Sequence, residues 1–308
     1  QARSEAALTA PSLGAAGKSA LHALLLGMAS VLQAAARSAR RHRQPAVSGS
    51  TRELAELSGP ALATTLTADS IIVLPVGSIE HHGAHLPLVT DLLMADEMSS
   101  RVVDAAVETG LDVWRMPPLA YTKSDEHHWA PGTAWIGADT LLATLREIGA
   151  SIANTPAKTL VFYNGHGGNV ALLQVALREL RRLHGLRTFL INVAVPAGDG
   201  VDGPDERGFG IHGGWGETSL VMHLRPDLVS LELAERAVPD QIADFTRIGF
   251  AGKPVQFGWL SDDFDSAGVV GDPTGSSAEV GERLAAQLVA DGVAALDEVS
   301  RFFPGAAR

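Results

Sequence analysis

The chain has 308 residues, 46% of them hydrophobic and 19% charged, enough apolar side chain to bury a sizeable core and the wrong balance for a disordered chain. The absence of cysteine excludes a disulfide framework, thiolate metal sites and a cysteine nucleophile. The net charge of −11 is the wrong sign for a protein that grips nucleic acid with its surface.

Residues 1–50 stand apart from the rest. Arg3, Lys18, Arg37, Arg40, Arg41 and Arg43 are set against Glu5 alone. Leu21, Leu24, Leu25, Met28, Val31 and Leu32 recur at helical spacing among alanines, which predicts an amphipathic helix over about 19–41 and a linker over 44–50. The apolar run is interrupted by His22 and Gln33 and is shorter than the ~20 residues of a membrane span. Its basic cluster follows the apolar run, the reverse of a secretion signal. The helix is therefore expected to pack on its own domain or on a neighbouring subunit, with a membrane-surface or targeting role as the rival.

From residue 51 strands alternate with helices. Residues 52–66 read as a helix, and 70–76 as an apolar run that suits a buried parallel strand. Residues 92–108 are helical, 112–116 a strand, 138–153 a helix, 159–163 a strand, 170–184 a helix and 188–195 a strand. A Gly/Asp-rich loop at 196–210 precedes a short helix at 217–223, and the last helix covers 278–302. This alternation predicts an α/β fold over 51–308, a mainly parallel central sheet flanked by helices on both faces, with an extra N-terminal helix.

In such sheets ligands bind beyond the carboxyl ends of the strands. Two predicted strands end in loops dense with metal-ligating residue types: Gly77 to Asp91, which holds Glu80, His81, His82 and His85, and Asn164-Gly-His166-Gly-Gly-Asn169. Ser124-Asp-Glu126-His127-His128-Trp129 and His212-Gly-Gly-Trp215-Gly-Glu217 are two further clusters. Seven of the eleven histidines lie in these four loops, whereas a lone loop histidine is ordinarily a surface or core residue. Glu80 and His82, two apart on an extended segment, point to one side and His81 to the other. Carboxylate with imidazole suits Zn²⁺, Mn²⁺ or Fe²⁺ with positions left for water. A second carboxylate such as Asp91 is able to bridge two metals, as in hydrolases that polarise a carbonyl and activate water. No dinucleotide or P-loop signature is present.

The stretches Pro75 to Asp91, Asn164 to Asn169 and His212 to Ser219, with Ser124, Glu126, His127 and Pro131-Gly132-Thr133 as a fourth match, resemble the creatininase (creatinine amidohydrolase) family in order and spacing, over about residues 52–303. The resemblance implies a parallel-sheet α/β fold, two divalent metal ions per subunit (Zn or Mn, with Fe as a further choice), a small-molecule amide substrate and a cytoplasmic homo-oligomer, a hexamer foremost. Carried over by position, Glu80, His82, Asp91, His166 and Glu217 match metal ligands, with Asp91 bridging. His212 and Glu217 match the catalytic residues, His212 shuttling protons. Ser78, Trp129, Gly167, Gly168 and Trp215 are expected to line the substrate site. The expected activity is metal-dependent hydrolysis of a cyclic or N-substituted amide. The rivals are creatinine hydrolysis itself, a non-catalytic binding protein of the family and a metal-dependent sugar isomerase. Two departures tell against creatinine. Gly168 stands where creatininases carry a glutamate ligand, which predicts a wider cavity with one negative charge fewer, and 186–210 shows no obvious match to the aromatic residues that line the creatinine pocket.

Overall fold

The computed structural model describes residues 51–250 and 252–303. The helix and linker expected within 1–50 lie outside the described residues. Among the described residues four strands, β1 (Ile71–Val76), β2 (Val113–Arg115), β3 (Thr159–Asn164) and β4 (Arg187–Asn192), form one parallel sheet in the order β2-β1-β3-β4. Among the described residues six α-helices accompany it: α1 (Gly59–Thr65), α2 (Thr90–Glu108), α3 (Ala138–Ala153), α4 (Val170–His184), α5 (Trp215–Leu224) and α6 (Ala278–Arg301).

Both faces of β1 and β3 are buried, as expected of parallel strands with helices on each side. Ile72, Leu74, Leu160 and Phe162 turn one way, onto Leu141 and Leu145 of α3 and Leu173 and Leu180 of α4. Ile71, Val73, Val161 and Tyr163 turn the other way, onto Met94, Met98 and Val102 of α2, Leu220 of α5 and Leu296 of α6. Pro75 is tolerated inside a central strand because β2 ends early. The Pro75 carbonyl accepts from Leu119 on that side, and no ladder partner there needs the N–H that proline lacks. A third apolar cluster, Phe209, Val238, Ile242 and Val270 with Phe250, Phe257 and Phe264, packs the irregular chain between α5 and α6.

The expected helix at 52–66 is divided in the structure. Leu54–Glu56 makes a 3-10 turn and α1 begins at Gly59. Pro60 is accepted only in the first turn of a helix, and the Ser58 hydroxyl caps that turn by accepting from the Ala61 N–H. Among the described residues no helix is long and apolar enough to cross a membrane.

The sheet order brings the carboxyl ends of β1 and β3 side by side, with Val76 paired to Asn164. The chain leaves β1 toward β2 and returns on the other side of β1 as β3, so a crevice opens between their ends. The amino end of α2 seats over it. A Cβ at Gly77 would run into the Leu92 backbone, and one at Gly165 into the Asp91 carbonyl. Glycine at both strand ends therefore lets the first turn of α2, with Asp91, sit directly on the crevice.

Candidate metal centre

Glu80 and His82 follow β1, Asp91 opens α2, and His166 follows β3; His127 lies on a 3-10 turn, Asp125–His127, and His212 just before α5. All six are buried. Two asparagines brace the β1 and β3 loops together. Asn164 donates to the His166 carbonyl (2.7 Å) and accepts from the His166 N–H (3.3 Å). Asn169 donates to the Gly77 carbonyl (3.1 Å) and to the Asn164 side chain (3.3 Å).

Three imidazoles are oriented in the same manner. His82 Nδ1 lies 3.2 Å from the Glu80 carbonyl, His166 Nε2 2.7 Å from the Lys123 carbonyl and His212 Nε2 2.8 Å from the His81 carbonyl. A ring nitrogen facing a carbonyl carries the proton, so in the neutral ring the other nitrogen bears a lone pair. Those other nitrogens face carboxylates. His82 Nε2 is 3.1 Å from Asp91 Oδ1, and His166 Nδ1 is 2.8 Å from Asp91 Oδ2 and 3.2 Å from Glu80 Oε2. His212 Nδ1 and His127 Nε2 are 3.6 and 3.5 Å from Glu80 Oε1. Acceptor thus faces acceptor wherever the neutral His82, His166 and His212 rings meet these carboxylates. Neither Glu80 carboxylate oxygen has a hydrogen-bond donor among the described residues. Such an array is stable only with protons or cations between its members.

The metal-free charges show the same demand. Burial opposes the charge of Glu80 and Asp91, yet the facing imidazoles hold both carboxyls below the ordinary carboxylate range. Burial alone would lower the His82 pKa, but Asp91, Glu80 and Glu217 outweigh it and raise it to about 9; Glu80 and Asp91 likewise raise His166. Burial pushes His127 down to about 4 and, with His82 and His127 beside it, His212 well below its ordinary value. Burial raises the Glu217 carboxyl to about 7, although it accepts from the Gly213 N–H at 2.6 Å. The donor atoms group into three sets, Glu80–Asp91–His166, His82–His212–Glu217 and Glu80–His127–His212, with the atoms of each set within 4.8 Å of one another. Oxygen and imidazole donors at that spacing fit a divalent cation.

A family model described as creatinine amidohydrolase matches residues 55–296. The chain belongs to the creatininase family. It is a hydrolase of carbon–nitrogen bonds. A mycofactocin precursor peptide peptidase of Mycolicibacterium smegmatis is 34% identical over 257 residues, covering 82% of this chain and 95% of that protein. A creatinine amidohydrolase of Pseudomonas putida is 33% identical over 189 residues, 55% of this chain and 70% of that protein. Among solved structures, a creatininase mutant complexed with creatine superposes with a TM-score of 0.64 at 26% identity, covering 82% of this chain and 100% of that one.

The creatininase motifs place their other residues as follows. His81 points away from the cluster; its Nε2 meets the Ala267 carbonyl at 2.8 Å and its ring stands edge-on to Trp129. His85 is buried between the Gly213 carbonyl and the Thr218 hydroxyl, both at 3.1 Å, and steadies the turn between His212 and Glu217. The Ser78 hydroxyl is buried beside Glu80 in sequence, without a partner among the described residues. Trp129 is half-buried and donates to Ser261 at 2.8 Å. Gly167 opens on free space. Trp215 is buried, with its ring against Gly203 and its N–H donating to the Gly275 carbonyl, which is the environment of a packing residue.

Three contributors carry no role in the sequence reading. His127 lies in the cluster, stacked on His212 with ring centroids 4.2 Å apart; the fourth motif pointed to it, without a role. Glu126 lies beside His166. Glu206, in the Gly/Asp-rich loop, is wholly buried and accepts the N–H groups of Gly198, Trp215 and Asp272, tying that loop and the chain before α6 to the start of α5. Nothing in the spacing of Glu206 marks it, because all three partners are backbone.

Proposed function

We propose that the chain is a metal-dependent amidohydrolase acting on an N-substituted amide. The observation that carries this reading is the buried array in which the imidazole nitrogens not held by backbone carbonyls converge on the carboxylates of Glu80 and Asp91. Glu80, Asp91 and His166 would hold one divalent ion, and His82, Asp91 and Glu217 the second. Asp91 would serve both ions, since its two oxygens face imidazoles of different sets. The metals are Zn or Mn, with Fe as a further choice; solved creatininases include Zn–Zn and Mn forms. Ions bound there supply Lewis acidity for a carbonyl and lower the pKa of a water.

The chain's own residues orient the substrate and move protons. His212 is kept neutral by burial, with Nε2–H fixed on the His81 carbonyl. Its Nδ1 is therefore free to take a proton and pass it to the leaving nitrogen. Glu217, whose carboxyl burial raises to about 7 before metal is bound, would give up its proton on holding the second ion. The unpartnered Ser78 hydroxyl and the open face of Gly167 are positions for substrate contact, and Trp129 walls the entrance.

A peptide-derived amide is favoured as substrate, because the relatives aligned over 95% of their length, in Mycolicibacterium smegmatis and Mycobacterium tuberculosis, are named mycofactocin precursor peptide peptidases. Creatinine is the second reading, supported by the Pseudomonas putida relative. The test is release of amine by Mn²⁺- and Zn²⁺-loaded protein from a panel of peptides, N-substituted amides and creatinine. Turnover of a peptide or larger amide, with creatinine at least ~100-fold slower, is the expected result. A creatinine kcat/KM of ~10⁴ M⁻¹s⁻¹ or above would instead establish the second reading, and no turnover with either metal would reject the enzyme. The catalytic domain is 51–308, and a cytoplasmic homo-oligomer, a hexamer foremost, is the assembly the family resemblance favours.

A further inference from the structure

The space beside Gly168 is not the open cavity that a missing side chain predicts. A Cβ built there would meet Glu126 Oε1 and His166 Nε2 under 3.0 Å, a separation that real Cβ atoms essentially never show. The volume that a residue at 168 would claim is occupied by the Glu126 carboxylate, so a negative charge is present there after all, delivered from a different loop.

We propose that Glu126 is a positioning residue for His166, and that glycine at 168 is what admits its carboxylate beside the ring. The inference rests on reading Glu80, Asp91 and His166 as metal ligands. His166 turns Nδ1 toward Asp91 and Glu80 and Nε2 toward the Asp125–His127 turn. Two acceptors meet that outward Nε2–H: the Lys123 carbonyl at 2.7 Å and Glu126 Oε1 at 3.5 Å. The carbonyl fixes which nitrogen carries the proton. The carboxylate adds a charge on the same side, which draws the N–H outward and makes Nδ1 a stronger donor. The charge is held where it is needed. The Lys123 ammonium lies 3.3 Å from Glu126 Oε2, and the Glu126 side chain is only 12% exposed. The turn itself is anchored, because Ser261 donates to the Glu126 carbonyl (3.1 Å) and accepts from the Trp129 indole (2.8 Å). One short turn thus sends Glu126 behind His166 and His127 toward Glu80.

The test is calorimetric titration of the metal-stripped full chain with Mn²⁺ and Zn²⁺, together with the visible spectrum of the Co²⁺ form and the melting curve of the metal-free protein. Glu126→Ala should weaken Mn²⁺ binding about 10–100-fold and shift the Co²⁺ bands, while the metal-free melt stays close to wild type. Glu126→Gln keeps the shape and loses the charge, so it should weaken binding less, and it carries the test if the alanine variant does not fold. Gly168→Ala should cost at least as much affinity as Glu126→Ala, because the added methyl meets both Glu126 and His166. Wild-type Kd and an unshifted Co²⁺ spectrum in Glu126→Gln and Gly168→Ala would overturn the role of Glu126 while leaving the metal centre standing. Failure of the wild-type chain to bind Mn²⁺ or Zn²⁺ would overturn the metal centre itself, and this inference with it.

Discussion

Asp91 shows how much one side chain is asked to do. It lies in the first turn of α2, and each of its oxygens faces a different imidazole. Asp91→Ala should therefore abolish binding of both metal ions, read by elemental analysis of the purified protein; a full complement would show that it does not bridge. The same contacts set a pH dependence. Without metal His82 has a pKa of about 9, and His166 is also raised, so both carry protons at neutral pH. A ligand nitrogen must be neutral, so metal uptake expels those protons. Affinity should rise with pH up to at least about 9, the value for His82. Calorimetry at pH 7 in buffers of different ionisation enthalpy should report net proton release, and pH-independent binding would contradict the raised His82. At this scale the sequence was partly legible. Glu80 and His82 could be paired from their two-residue spacing, because extended backbone alternates sides. His127 could be flagged only by its crowded motif. Glu126 was invisible as a neighbour of Gly168, since the two loops meet only in the folded chain.

The elements explain why the ligands stay in place. α5 carries Glu217 in its first turn, and its start is held by the Glu206 carboxylate through the Trp215 N–H. Gly210, Gly214 and Gly271 leave the room that this carboxylate needs, since a Cβ on any of them would press into it. Glu206→Ala would orphan three buried N–H groups, each worth about 1–3 kcal/mol. It should lower unfolding stability by about 3 kcal/mol or more, measured by urea titration of the metal-free protein. A change below about 0.5 kcal/mol would show that the clasp is dispensable. α5 also packs closely on α6. A Cβ at Gly281 would collide with the Ser219 carbonyl, which is backbone and unable to step aside. Gly281→Ala should therefore destabilise by roughly 1–3 kcal/mol despite alanine's better helix propensity, and a stabilising result would show that the two helices have slack. Helix positions away from such contacts were read well from sequence: α3 and α4 run where apolar periodicity predicted, Ala138–Ala153 and Val170–His184. The helix expected at 52–66 was overextended because apolar periodicity outweighed the Gly59-Pro60 signal that starts α1.

At the scale of the whole molecule, the layer order followed from strand–helix alternation, and the place of the site from the rule that loops beyond parallel strands bind ligands. The chain between α5 and α6 was not legible. It forms 3-10 turns around Phe209, Phe250, Phe257 and Phe264, and such packing has no period to read. Among the described residues the candidate ligands lie between Glu80 and Glu217, and the three apolar clusters draw on residues between Leu54 and Val299. The first fifty residues lie outside the described residues. Their sequence still carries an apolar face, Leu21, Leu24, Leu25, Met28 and Leu32, too large to leave uncovered in water. Deletion of residues 1–50 should leave a chain that melts cooperatively and binds the same number of metal ions as the full chain. The covering of that face should appear as a change in oligomer mass by light scattering or in Tm. Loss of metal binding on deletion would place part of the site in the extension. Unchanged mass and Tm would remove the packing role, and binding of the intact protein to anionic vesicles would turn the face toward a membrane surface instead.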